Sequence, residues 1–160
     1  MRGFFSANIC VVFVSLIVLS LSCEETTSKN EDLVSLIPQN TDIILRINDI
    51  NSIKNKFQND ELLKNLYFPK DVRLKVKNLV KDSLNNQIIA FSNFGKEEKA
   101  ITVIHKRTKD SSYLSYEKII YSGKPIYKFK KGNTEFYKTF IQNNTIVGDS
   151  RIIIENCIRN

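Results

Sequence analysis

The chain has 160 residues, with 24 Lys and Arg against 17 Asp and Glu, a net charge of +7, one histidine and three cysteines. Its length is that of one domain with a real hydrophobic core, and its positive charge is spread along the chain rather than gathered in a block. A single His without paired cysteines excludes the common zinc ligand sets, and three cysteines, the first inside an apolar run, exclude a disulfide framework.

Arg2 precedes the apolar run Ile9–Leu21, which is followed by Ser22, Cys23, Glu24 and Glu25. A spanning helix needs about 20 apolar residues, and this run is shorter. It fits the apolar core of a secretory signal, about 7–15 residues, and Ser20 and Ser22 are the small residues a signal peptidase accepts. Cleavage before Cys23 is therefore expected. Ser20-Leu21-Ser22-Cys23 resembles the lipobox of bacterial lipoproteins, although Ser20 stands where the box usually has Leu and Leu21 where it prefers a smaller residue. The resemblance implies diacylation of the Cys23 sulfur, which makes Cys23 the one assigned site residue, a lipidation site. Several acyl chains hold a protein where one holds it only marginally. Two alternatives remain open: an ordinary secretory peptidase cutting the same bond, leaving a lipid-free protein, and an uncleaved segment acting as a tether. Glu24 and Glu25 resemble the surface-export signal of Bacteroidota lipoproteins, implying the outer membrane of a Gram-negative cell with the domain exposed.

The organisation expected is a signal peptide over 1–22, a lipidated polar spacer over 23–32 and one domain over 33–160. Turn chemistry at Pro38-Gln39-Asn40 leads into an interior strand over 41–48. Asp49 or Asn51 opens a short helix to Phe57, and Asn59 or Asp60 opens another carrying Leu62, Leu63 and Leu66. Pro69 opens a third over 69–84, with Val72, Val76, Leu79, Val80 and Leu84 on one stripe. The period then changes to that of strands, over 87–92, 100–106, 116–121, 126–130, 136–142 and 145–147. Turn signals fall at Gly95, Ser122-Gly123, Gly132-Asn133 and Asn143-Asn144, which reads as an antiparallel meander. Asp149 or Ser150 caps a closing helix from Arg151 with Ile154, Cys157 and Ile158 on one face. The fold class expected is α+β, a mostly antiparallel sheet with helices packed on one face. The stretches TDIILRIND, KNLY and GDSRIIIEN resemble the N-terminal module of large uncharacterised Bacteroidota surface lipoproteins. Those relatives continue further, so a short member or a truncated reading frame is expected.

No catalytic, cofactor or metal residue is assigned, and no cofactor is expected. His105 lies on the strand face of Ile101 and Val103 without a nucleophile motif, and Cys157 reads as a small core residue. The five glycines form no phosphate loop. The informative surface is the interleaving of rings and lysines between Tyr113 and Phe140. Tyr127 and Phe129 share one strand face, and Phe136, Lys138 and Phe140 share another. A glycan or envelope protein fits this face as partner, beside the membrane reached through acylated Cys23, and nucleic acid does not. The reading is a non-enzymatic, lipid-anchored envelope protein of binding or structural type. The alternatives are a secreted protein without lipid and an envelope hydrolase with an atypical site at His105, which requires a Ser or carboxylate beside that ring.

Overall fold

A computed structural model of the protein describes residues 33–52, 55, 59, 61–66, 68–95, 98–108 and 116–159, the side chains at 62 and 63 excepted. The chain divides into Met1–Glu31 and Asp32–Asn160, and the fold described is that of the second unit. The signal segment, Cys23, the spacer, Tyr113 and the side chains of Leu62 and Leu63 lie outside the described residues.

Seven strands form one sheet: β1 Thr41–Ile47, β2 Gln87–Phe94, β3 Glu98–Lys106, β4 Glu117–Tyr121, β5 Lys124–Lys131, β6 Thr134–Ile141 and β7 Asn144–Gly148. Helical elements include a 3-10 turn at Leu33–Leu36, α1 at Glu61–Asn65, α2 at Lys70–Leu79 and α3 at Arg151–Arg159. The molecule is thus predominantly a sheet, and every neighbouring strand pair is antiparallel, as expected.

The strand order is β1-β2-β3-β7-β6-β5-β4, which corrects the simple meander. Two meanders meet in the middle. The chain runs from β3 to the far edge strand β4 and returns, inserting β7 beside β3 with Val103 opposite Val147 and His105 opposite Thr145. The second meander is built on two-residue turns. Ser122 (φ 47°) and Gly123 (φ 74°) are both left-handed, the conformation that fits a hairpin to the twist of its strands. The last turn is Gln142-Asn143, one residue earlier than expected, because Asn144 is buried and pairs with Ile141 and Lys106.

Helices cover both faces of the sheet, which corrects the expectation of one. Val76 and Leu79 of α2 pack on Ile89, Phe91, Ile101, Val103 and Val147. On the opposite face Ile154, Cys157 and Ile158 of α3, with Leu33 and Leu36, pack on Ile88, Ile104, Ile126 and Ile146. The cause lies in the central strands. Ile88-Ile89-Ala90-Phe91 and Ala100-Ile101 through Ile104 are buried without alternation, so each side needs its own apolar cover.

Two further boundaries differ. Strand β1 is an edge, not interior, and leaves Ile43 and Ile44 exposed. Helix α2 stops at Leu79 rather than Leu84, because Val80 turns extended (ψ 136°). Buried Gln87 then takes over the freed backbone groups. Its Oε1 accepts the Lys81 N–H (3.1 Å), and its Nε2 donates to the carbonyls of Lys81 (2.7 Å) and Leu84 (2.6 Å).

Candidate functional site

The pairing of β3 with β7 brings two distant parts of the sequence onto one surface. On the face covered by α2, adjacent strands align His105 with Thr145 and Phe140, and Val103 with Val147, Lys138 and Tyr127. Helix α2 covers only part of that face. At its end lies a cleft of about 180 Å³, lined by Leu79, Val80, Tyr116 and Phe129. His105 and Thr145 line it, together with Lys81, Lys131 and Lys138.

Each lysine reaches the cleft by a different route. Lys131 donates to the Asn78 carbonyl at the end of α2 (3.1 Å), where the helix dipole favours a cation. Lys81 is positioned through Gln87, and its amine donates to the Thr108 hydroxyl (3.4 Å). Lys138 is buried in the middle of β6, with its amine 5.3 Å from the centroid of Phe140. Arg107 lies over the same ring at 4.5 Å, so this ring receives two cations.

The rings form a connected cluster. Tyr116 tilts against Phe129 (centroids 5.0 Å apart), Tyr127 meets Phe140 edge-on at 5.9 Å, and Phe129 packs on buried Phe136 at 5.7 Å. Tyr116, Tyr127, Phe129 and Phe140 keep part of their surface in solvent. The opposite face of the same strands behaves differently. There Lys128 and Lys130 lie 3.2 and 3.5 Å from Glu135. That hydrogen-bonded ion pair holds the Lys128 amine above its ordinary pKa and the Glu135 carboxyl below its own. The expected alternation of rings and lysines is therefore present in β5, whereas β6 places Lys138 among the rings.

His105 is buried, with Nδ1 2.7 Å from the Lys106 carbonyl. A carbonyl can only accept, so Nδ1 carries a proton and donates it to this contact. His105 therefore does line a cleft, but its cross-strand neighbour is Thr145, and among the described residues no Ser, Cys or carboxylate lines that cleft. No group of three or more His, Cys, Asp and Glu side chains among the described residues is arranged to hold a metal ion.

Cys157 is buried on α3 in the core of the opposite face, and burial pushes its thiol pKa up to about 12 from 9.0. Below pH 9 the thiol is neutral in both folded and unfolded chains. Between about pH 9 and 12 only the unfolded chain ionises it, so folding loses up to about 1.4 kcal/mol per pH unit. Urea unfolding across that range should therefore show a flatter pH dependence for Cys157→Ala than for the parent. Equal slopes would mean that the thiol is accessible.

A second groove, about 500 Å³, lies beside edge strand β1 and is lined by Ile43, Leu66, Phe68 and Val72. Its Lys75 is committed to Asp149 at 2.8 Å. Among the described residues no helix is long and apolar enough to cross a membrane. Of the cleft residues, sequence reading singled out His105, Phe129 and Lys138 but missed Lys81, Lys131 and Thr145 as their neighbours. The available signal was a lysine centred between Phe136 and Phe140 on an otherwise apolar strand face. No family model, characterised protein or solved structure matches the chain.

Proposed function

We propose that the protein is a lipid-anchored component of the cell envelope, held by acyl chains on Cys23, whose sheet domain recognises a glycan. The observation that carries the binding half is the open ring-and-cation face of Tyr116, Tyr127, Phe129 and Phe140 with Arg107 and Lys138. Half-buried rings already fixed by neighbours offer flat apolar area at little entropic cost, and the amines and hydroxyls beside them supply directional hydrogen bonds. Sugars present matching surfaces, with apolar C–H faces and hydroxyl edges. The anchoring half rests on the apolar run ending in Ser20-Leu21-Ser22-Cys23.

Intact mass of the membrane-fraction protein tests the anchor. The expected mass is that of residues 23–160 plus acyl chains, with Cys23→Ala retained as unprocessed precursor. An unmodified mature mass in the soluble fraction would overturn it. Retention on immobilised polysaccharide tests the domain, and the Tyr127→Ala/Phe140→Ala pair should lose it while remaining folded.

A further inference from the structure

We propose that the outer edge of β1 and the groove beside it are a docking site for an extended acidic and apolar peptide segment of another protein, which adds to the sheet as a further strand. The site lies at the opposite margin of the sheet from β4 and does not depend on the glycan reading. Strand addition needs an edge with unpaired backbone groups, and natural edges are commonly blunted by shortness, charge or proline. Edge strand β4 is blunted in this way: it has five residues, and Glu117 and Lys118 are exposed on it. Strand β1 runs for seven residues without lysine or proline, and its irregularity between Thr41 and Ile43 leaves the register from Ile43 to Ile47 unbroken. Its outer side pairs with no strand among the described residues.

The side chains along this edge define what the added strand carries. Ile43 and Ile44 are both exposed and, being adjacent, point to opposite faces, so a paired strand covers an apolar side chain on each face. Ile43 also lines the groove of about 500 Å³, together with Leu66, Phe68 and Val72. Phe68 stacks on Phe91 with centroids 4.3 Å apart, which fixes this apolar surface before a ligand arrives. The groove therefore takes large apolar side chains from one face of the added strand. Charge selects the rest. Arg46 and Lys99 are exposed and make no hydrogen bond or ion pair. The acidic residues of the strand and of the groove lining are already engaged: Asp42 accepts from the Asn93 amide, and Asp71 lies in the first turn of α2, where the helix dipole favours an anion. The other lysine of the groove, Lys75, is held by Asp149. The cations left over are Arg46 on the edge and Lys99 at the groove, and carboxylates on the added strand complement them.

The test is selection of short random peptides displayed on phage against the full chain in detergent micelles, followed by fluorescence anisotropy of the enriched sequences. Enriched peptides should be net acidic and carry a phenylalanine or leucine. When the N–H groups of alternate residues are blocked by N-methylation, one of the two alternating sets should abolish binding and the other preserve it, because one edge of an added strand faces β1. Ile44→Glu and Arg46→Glu, both at exposed positions, should each weaken the acidic peptides about tenfold or more at an unchanged urea midpoint. Arg46→Glu should also turn the preference towards peptides with lysine in place of glutamate. The Tyr127→Ala/Phe140→Ala pair should leave peptide binding intact, and its loss there would move the peptide to the ring face and overturn the proposal. Failure to enrich acidic sequences, equal binding of both N-methylated sets, or unchanged affinity in both edge variants would overturn it as well. So would a dimer in sedimentation that Ile44→Glu dissociates, since the edge would then belong to a second copy of the chain.

Discussion

Gly148→Ala is expected to lower stability by about 3 kcal/mol, at the upper end of the usual cost of overpacking, and Gly148→Val to prevent folding. Gly148 ends β7, between Thr102 of β3 and Tyr137 of β6. A Cβ there would lie 2.7 Å from the Ile101 carbonyl oxygen, 3.2 Å from Thr102 Oγ1 and 3.4 Å from Ile154 Cδ1. The first of these is a backbone atom of a strand paired on both sides, so it cannot swing aside as a side chain would. Relief requires β7 to move away from β3, which opens the junction between the two meanders and lifts α3 through Ile154. Urea unfolding should show a lowered midpoint with an unchanged slope. Gly132→Ala is the control, since nothing lies within 4 Å of its Cβ position and only its left-handed φ of 62° opposes alanine. A Gly148→Ala midpoint at or above that of Gly132→Ala would mean that the centre of the sheet is not packed this closely.

The features legible in the sequence are those with local causes. The hairpins at Ser122-Gly123 and Gly132-Asn133 follow from residues that tolerate left-handed backbone, and the shared faces of Phe136, Lys138 and Phe140 follow from the strand period of two. The insertion of β7 beside β3 has no local signature, because it is decided by which strands bury the most apolar surface across the whole sheet. The cleft depends on that insertion, so His105 and Lys138 were visible singly and their meeting was not. The edge position of β1 was hidden for a related reason: Ile43-Ile44-Leu45 reads as an interior run, yet among the described residues β2 alone pairs with it. The end of α2 was overrun because Val80 and Leu84 continue the helical stripe, while the competing hydrogen bonds come from Gln87, beyond the helix.

Asp149→Ala is expected to cost about 3–5 kcal/mol, the range for breaking a buried charge pair by deleting one partner. Sequence reading offered Asp149 as a cap for α3, but its side chain reaches the other layers instead. Oδ1 accepts the Ile101 N–H at 2.8 Å, Oδ2 accepts from Lys75 at 2.8 Å, and the Asp149 N–H donates to the Ile101 carbonyl at 3.2 Å. With a side chain only 6% exposed, Asp149 thus extends the β3–β7 pairing past Gly148 and ties it to α2, while the next residues begin α3 on the opposite face. Alanine would strand a backbone donor on β3 and remove the partner of the Lys75 amine, which at 32% exposure regains only part of its hydration. Asp149→Asn keeps a carbonyl oxygen for the Ile101 N–H and should cost less, about 1–3 kcal/mol, leaving the Lys75 contribution as the remainder. In a double-mutant cycle with Lys75→Met, the coupling to Asp149→Asn should then be at least about 0.5 kcal/mol. Additive losses would locate the whole effect in the Ile101 bond, and an Asp149→Ala loss under about 1 kcal/mol would show that the three layers are not joined at this carboxylate.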